Sequence, residues 1–132
     1  MRGSLRQRVE RARSRAFERL VIEALDGLPP EIQAMLNNVE VVVEDEPSAD
    51  HLGPDAEPGE TLFGLYQGVP LTERGSGYSM VLPDKISIFR GPLEREFRSA
   101  TEIARQVRIT VIHELAHHVG IDEDRLEELG WR

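Results

Sequence analysis

The 132 residues predict a small α+β domain. Three observations carry that expectation. Apolar residues recur at helical spacing near both ends of the chain, short β-branched runs lie between them, and those runs number only three or four. That is too few for a regular alternation of strands and helices around a parallel sheet.

The elements follow in order. Leu5, Val9, Ala12, Ala16, Leu20 and Ala24 step by three or four, with Phe17, Val21, Leu25 and Leu28 widening the stripe, which predicts a long first helix. Gly27 and Pro29-Pro30 end it, and Pro30 opens a short second helix through Leu36. Val39–Glu44 is β-branched and bounded by Asn-Asn and acids, so it reads as a strand. Residues 45–60, rich in Pro, Gly and acids, read as a loop, either a lid or a surface excursion. Thr61–Gln67 is a second strand, with Gly64 as a bulge or a point of close approach. Residues 68–84 read as irregular with a short strand at Tyr78–Val81, and Lys85–Phe89 alternates as a third strand. Gly91-Pro92 then turns the chain into a short helix near Leu93–Phe97. Ser99 and Glu102 make a capping box for a long helix that runs to Val119, with Gly120 as its left-handed cap. A last helix, Glu123–Leu129, stops at Gly130.

Composition bounds the chemistry. With no cysteine there is neither a disulfide scaffold nor a thiolate metal site, so His, Asp and Glu are the strong ligands available. No apolar run is long enough for a membrane span or a signal peptide, and the expectation is a cytoplasmic protein. The net charge of −8 is uneven: residues 1–19 hold seven Arg against Glu10 and Glu18, a balance of +5 that leaves −13 on the remainder. Residues 1–16 therefore read as an Arg-rich arm or helix extension preceding a domain over 17–132. An acidic body disfavours nucleic acid as the main partner, although the arm on its own could touch an anionic surface.

The chemistry concentrates in His113-Glu114-Leu115-Ala116-His117-His118-Val119-Gly120-Ile121-Asp122-Glu123. This is HExxH, with Gly at the seventh residue after the first His and an acid at the tenth. On a helix, His113 and His117 project about 40° apart, so two neutral imidazoles can reach one metal ion. Glu114 projects about 100° round from His113, beside the metal, where it suits a general base acting on water. Ile109, Val111, Ile112, Leu115, Ala116 and Val119 cover most of the same helix, which predicts burial nearly all round. Polar groups embedded in such a helix need compensation, and a divalent cation supplies it. Gly120 lets the chain reverse and bring the next side chains back, so Glu123 is the candidate third ligand, with Asp122, Asp124 and His51 as rivals. His118 faces away from the metal side and reads as a supporting histidine. Tyr66, Tyr78 and Arg74 are candidates to contact an oxyanion; packed tyrosines and a surface arginine are the simpler readings.

With those residues placed, the chain resembles the small bacterial zincin-like metallopeptidases, sometimes described as minimal zincins. The resemblance spans roughly residues 17–132, through Phe17–Pro29, NVEVVVEDEPS, LFGLYQGVPLTERG, LPDKISIFRGPLE and TVIHELAHHVGIDEDRLEELG. It implies a small twisted sheet packed against the motif helix, with a cleft beside an edge strand. It also implies a Zn²⁺ cofactor held by His113, His117 and the acid at the tenth position, usually Asp in the family and Glu123 here. Nothing after Glu123 supplies a Met-turn or a second subdomain. The expected substrate is therefore an extended peptide or protein segment added along a strand edge. The expected function is zinc-dependent peptide hydrolysis with Glu114 as base. The alternative is a metal-stabilised binding or regulatory protein with little proteolytic activity.

Overall fold

Helix α1 (Leu5–Asp26) starts where the Ser4 hydroxyl and the Gln7 side chain cap one another's amides, at 3.2 and 2.8 Å. The computed structural model describes residues 4–53, 62–68 and 83–130, with backbone alone at Glu123. Phe17, Val21 and Ala24 are the buried residues of α1, whereas Leu5 and Val9 are exposed. The Arg-rich turns are thus continuous with the helix that packs into the core. Pro30 opens α2 (Pro30–Met35), whose Ile32 is buried.

Strands β1 (Val39–Glu44), β2 (Gly64–Gln67) and β3 (Asp84–Phe89) form one sheet in the order β1-β3-β2. β1 runs parallel to β3, Val39 opposite Asp84 through Glu44 opposite Phe89. β2 runs antiparallel, Gly64 opposite Ile88 through Gln67 opposite Lys85. Alternation along these registers places Val39, Val41, Val43, Ile86, Ile88 and Tyr66 on one face. That face meets α1 and helix α5 (Ala100–Val119), whose Ile103, Val107, Val111 and Leu115 complete the core. The other face carries Val42, Leu65, Ser87 and Phe89. There His51 of the short helix α3 (Ala49–Leu52) lies 5.1 Å from the Phe89 ring.

The α+β expectation holds, and several local expectations are refined. The stretch 45–60 contains α3, because Ser48 and His51 cap each other, the His51 Nδ1 accepting the Ser48 amide at 2.9 Å. A capping rule that looks for Glu or Gln misses this imidazole. β3 passes directly into α4 (Arg90–Glu96), so Gly91 and Pro92 sit inside its first turn, where proline needs no intrahelical donor. The Ser99 hydroxyl accepts the Glu102 amide at 3.1 Å, but Glu102 takes the Arg98 amide, so the expected box is half formed. The strand expected at Tyr78–Val81 lies outside the described residues.

The end of α5 follows the expectation closely. Gly120 adopts φ 83°, ψ 21°, and the Ile121 amide returns to the Ala116 carbonyl at 2.8 Å. Only a residue without Cβ takes that conformation cheaply. Asp122 then caps α6 (Glu123–Leu129), accepting the Arg125 amide at 2.9 Å. Leu126, fully buried near Ile32, Met35, Ile112 and Leu115, fastens α6 to the core, a burial worth about 2 kcal/mol.

Candidate metal centre and the β2 edge

His113 and His117 lie one turn apart near the end of α5, with ring centroids 6.3 Å apart. His113 is half-buried, its Nε2 shielded from solvent, and His117 is exposed, so the pair sits at the rim of the core. The sequence predicts a helix buried nearly all round; instead its last turn opens outward, with Val119 48% exposed. Solvent therefore reaches the His117 imidazole, whereas the His113 Nε2 is shut off from it.

Tetrahedral zinc with bonds near 2 Å to two imidazoles holds their ring centroids about 5 Å apart. The observed pair stands about 1 Å wider, a gap that side-chain rotation closes; the donor set is of the kind zinc prefers, and the shielded His113 Nε2 is an atom a metal would take up, so these residues fit the metal. Among the described residues no three His, Asp or Glu side chains already converge. The Glu123 side chain lies outside the described residues, while its backbone is the first residue of α6. Of its rivals, Asp122 is committed to the α6 cap and Asp124 is exposed on that helix. His51 stands across the sheet, with Nε2 3.9 Å from Glu44 Oε2.

Glu114 is placed by the edge of the sheet. Among the described residues β2 is an edge strand. The Phe89 amide donates to the Phe63 carbonyl at 2.9 Å, which fixes the alternation: residues 65 and 67 bond toward β3, and Gly64 and Tyr66 point their backbone groups outward. The outward Tyr66 amide donates to Glu114 Oε1 at 3.0 Å. Thr110, Glu114 and His118 recur every fourth residue and form one row along β2. A Cβ on Gly64 would lie 2.6 Å from Thr110 Cγ2, so the glycine is the point of close approach.

His118 completes that row by stacking on the Tyr66 ring, centroids 4.0 Å apart and planes 18° from parallel. The Tyr66 hydroxyl donates to Asp84 Oδ2 at 2.5 Å, and His118 Nε2 is 3.7 Å from the same oxygen. Tyr66, a candidate oxyanion contact in the sequence, thus turns its hydroxyl to Asp84. Tyr78 and Arg74 lie outside the described residues. Sequence reasoning missed Asp84, because no spacing rule links the first residue of a strand to a tyrosine 18 positions earlier.

A conserved hypothetical protein from Thermo thermophilus shares the fold, with TM-score 0.52 and 22% identity over 81% of this chain and 94% of that one. No curated protein matches. No helix among the described residues is long and apolar enough to cross a membrane. The family profile for zincin-like metallopeptidases matches residues 36–131, a span that holds the whole sheet, the motif helix and the turn at Gly120. The chain belongs to the zincin-like metallopeptidase family.

Proposed function

We propose that the protein is a zinc-dependent peptidase that hydrolyses a peptide bond with Glu114 as general base and His113, His117 and Glu123 as metal ligands. The observation that carries this reading is the pairing of His113 and His117 at the rim of α5 while Glu114 reaches the β2 edge. Zinc, when bound there, would polarise the scissile carbonyl and acidify water. Glu114 takes the proton of the attacking water and hands it to the leaving amine. The outward backbone groups of Gly64 and the outward Tyr66 carbonyl suit an extended peptide that adds a strand to β2, and such a peptide meets Glu114 where it holds the Tyr66 amide.

The hydrogen bond from Tyr66 to Glu114 also favours a second reading. A carboxylate that ties β2 to α5 serves a metal-stabilised binding or regulatory protein equally well. Zinc content and cleavage of a peptide library separate the two. In the peptidase, Glu114→Gln keeps zinc but lowers cleavage by about 10²–10⁴-fold, and His113→Ala loses both. Cleavage by Glu114→Gln at the wild-type rate contradicts the assigned base and favours the second reading.

A further inference from the structure

We infer that Asp84 and His118 are positioning residues for Glu114, acting on it through Tyr66. Tyr66 is held at three points by three different groups. Its amide is on Glu114, its ring face is on His118, and its hydroxyl is on Asp84. Two of these holds come from one helix face, since Glu114 and His118 are four residues apart on α5. The third comes from the first residue of the central strand. The ring is therefore fixed at its tip and its face, and the amide attached to it is fixed with respect to α5.

Glutamate has three side-chain torsions, and a base works only within about 2.6–3.2 Å of the proton it takes. A hydrogen bond from a fixed amide selects one carboxylate position out of many. Asp84 is buried enough to hold its geometry, with 15% of its side chain exposed, whereas His118 is 44% exposed and contributes chiefly its flat face. Gly68 passes close beside them: a Cβ there would make ordinary van der Waals contact, 3.6 Å from His118 Cε1 and 3.7 Å from Asp84 Oδ1. The catalytic part of this inference rests on the peptidase reading, but the amide contact does not.

Amide hydrogen exchange at residue 66 tests the inference directly, because it needs neither metal nor substrate. Tyr66→Phe, Asp84→Ala and His118→Ala are each expected to speed exchange of that amide by about tenfold. The amides of Leu65 and Gln67, paired with β3, are expected to keep their protection. In the same variants kcat falls roughly tenfold with KM and zinc content near wild type. Asp84→Asn and His118→Phe, which keep an acceptor and a flat ring, restore both readouts. Unchanged protection at residue 66 in Tyr66→Phe and Asp84→Ala overturns the inference. So does an equal loss across residues 65–67, which would mean that these groups hold the strand rather than the amide. Absence of cleavage by the wild type instead defeats the peptidase reading and leaves the exchange result to stand alone.

Discussion

The central strand β3 has a charged residue at each end, and the two are buried to nearly the same degree. Asp84, its first residue, is 15% exposed at the side chain; Arg90, which follows its last residue, is 12% exposed. Arg90 draws on three elements: Asp45 beyond β1 at 3.0 Å, Glu94 of α4 at 3.2 Å and Glu10 of α1 at 3.4 Å. Beside it, Arg95 pairs with Glu46 through two hydrogen bonds, at 2.7 and 2.9 Å. Asp84 instead meets the Tyr66 hydroxyl and the His118 imidazole, both part of the seam between α5 and β2. The Arg90 end is redundant, since losing one carboxylate leaves two. The Asp84 end bears on the ring of the residue whose amide donates to Glu114. Similar burial therefore serves the fold at one end and the candidate site at the other.

Gly64→Ala strikes the seam hardest. Its methyl would lie 2.6 Å from Thr110 Cγ2 and 2.9 Å from the Ser87 carbonyl oxygen, and backbone cannot swing aside. Urea unfolding should show a loss of about 1–3 kcal/mol, with cleavage reduced beyond what the lower stability explains. Adding Thr110→Ser removes one of the clashing atoms and should recover part of both. Full stability in Gly64→Ala would mean that the seam yields easily and that Glu114 is loosely held.

Arg90→Met is expected to cost less, about 1–2 kcal/mol, because its carboxylate partners remain solvated once it is gone. Zinc affinity, read by calorimetry, should stay at the wild-type value. A large fall in zinc affinity would erase the contrast between the two ends of β3.

The smallest effect is a pH dependence. The hydrogen bond from Arg95, opposed by some burial and aided by the fields of Arg95 and Arg90, lowers the Glu46 pKa below its ordinary 4.5. A carboxyl depressed on folding stabilises the protein above its unfolded pKa, and that contribution disappears as pH falls through the folded value. The difference in Tm between wild type and Arg95→Gln should therefore be constant above about pH 5.5 and shrink below pH 4.5. A difference that grows with acid would show that the pair does not act through Glu46.

Much of this was legible in the sequence wherever the cause was local. The stripe of α1, the β-branched run of β1 and the left-handed Gly120 each follow from neighbours a few residues apart. The pairing of His113 with His117 is local in the same sense. What was not legible depends on strand order. β1 pairs with β3 and leaves β2 outside, which alone puts the Tyr66 amide on the edge, 48 residues from Glu114. Arg90 likewise reaches partners 45 and 80 positions away. The wheel also overstated burial at the end of α5, where His117, His118 and Val119 are exposed, because apolar periodicity cannot say which turns of a helix another element covers. His118 shares a sector with Val107 and Val111, yet those are in the core and His118 stacks on Tyr66 at the rim.

The most direct test of the account is the location of zinc itself. Crystals grown with one equivalent of zinc, measured at the zinc absorption edge, should give one anomalous peak per chain. The account predicts that the imidazoles of His113 and His117 and the carboxylate of Glu123 bond to it. A peak held by other residues, or none where both imidazoles are ordered, would contradict it.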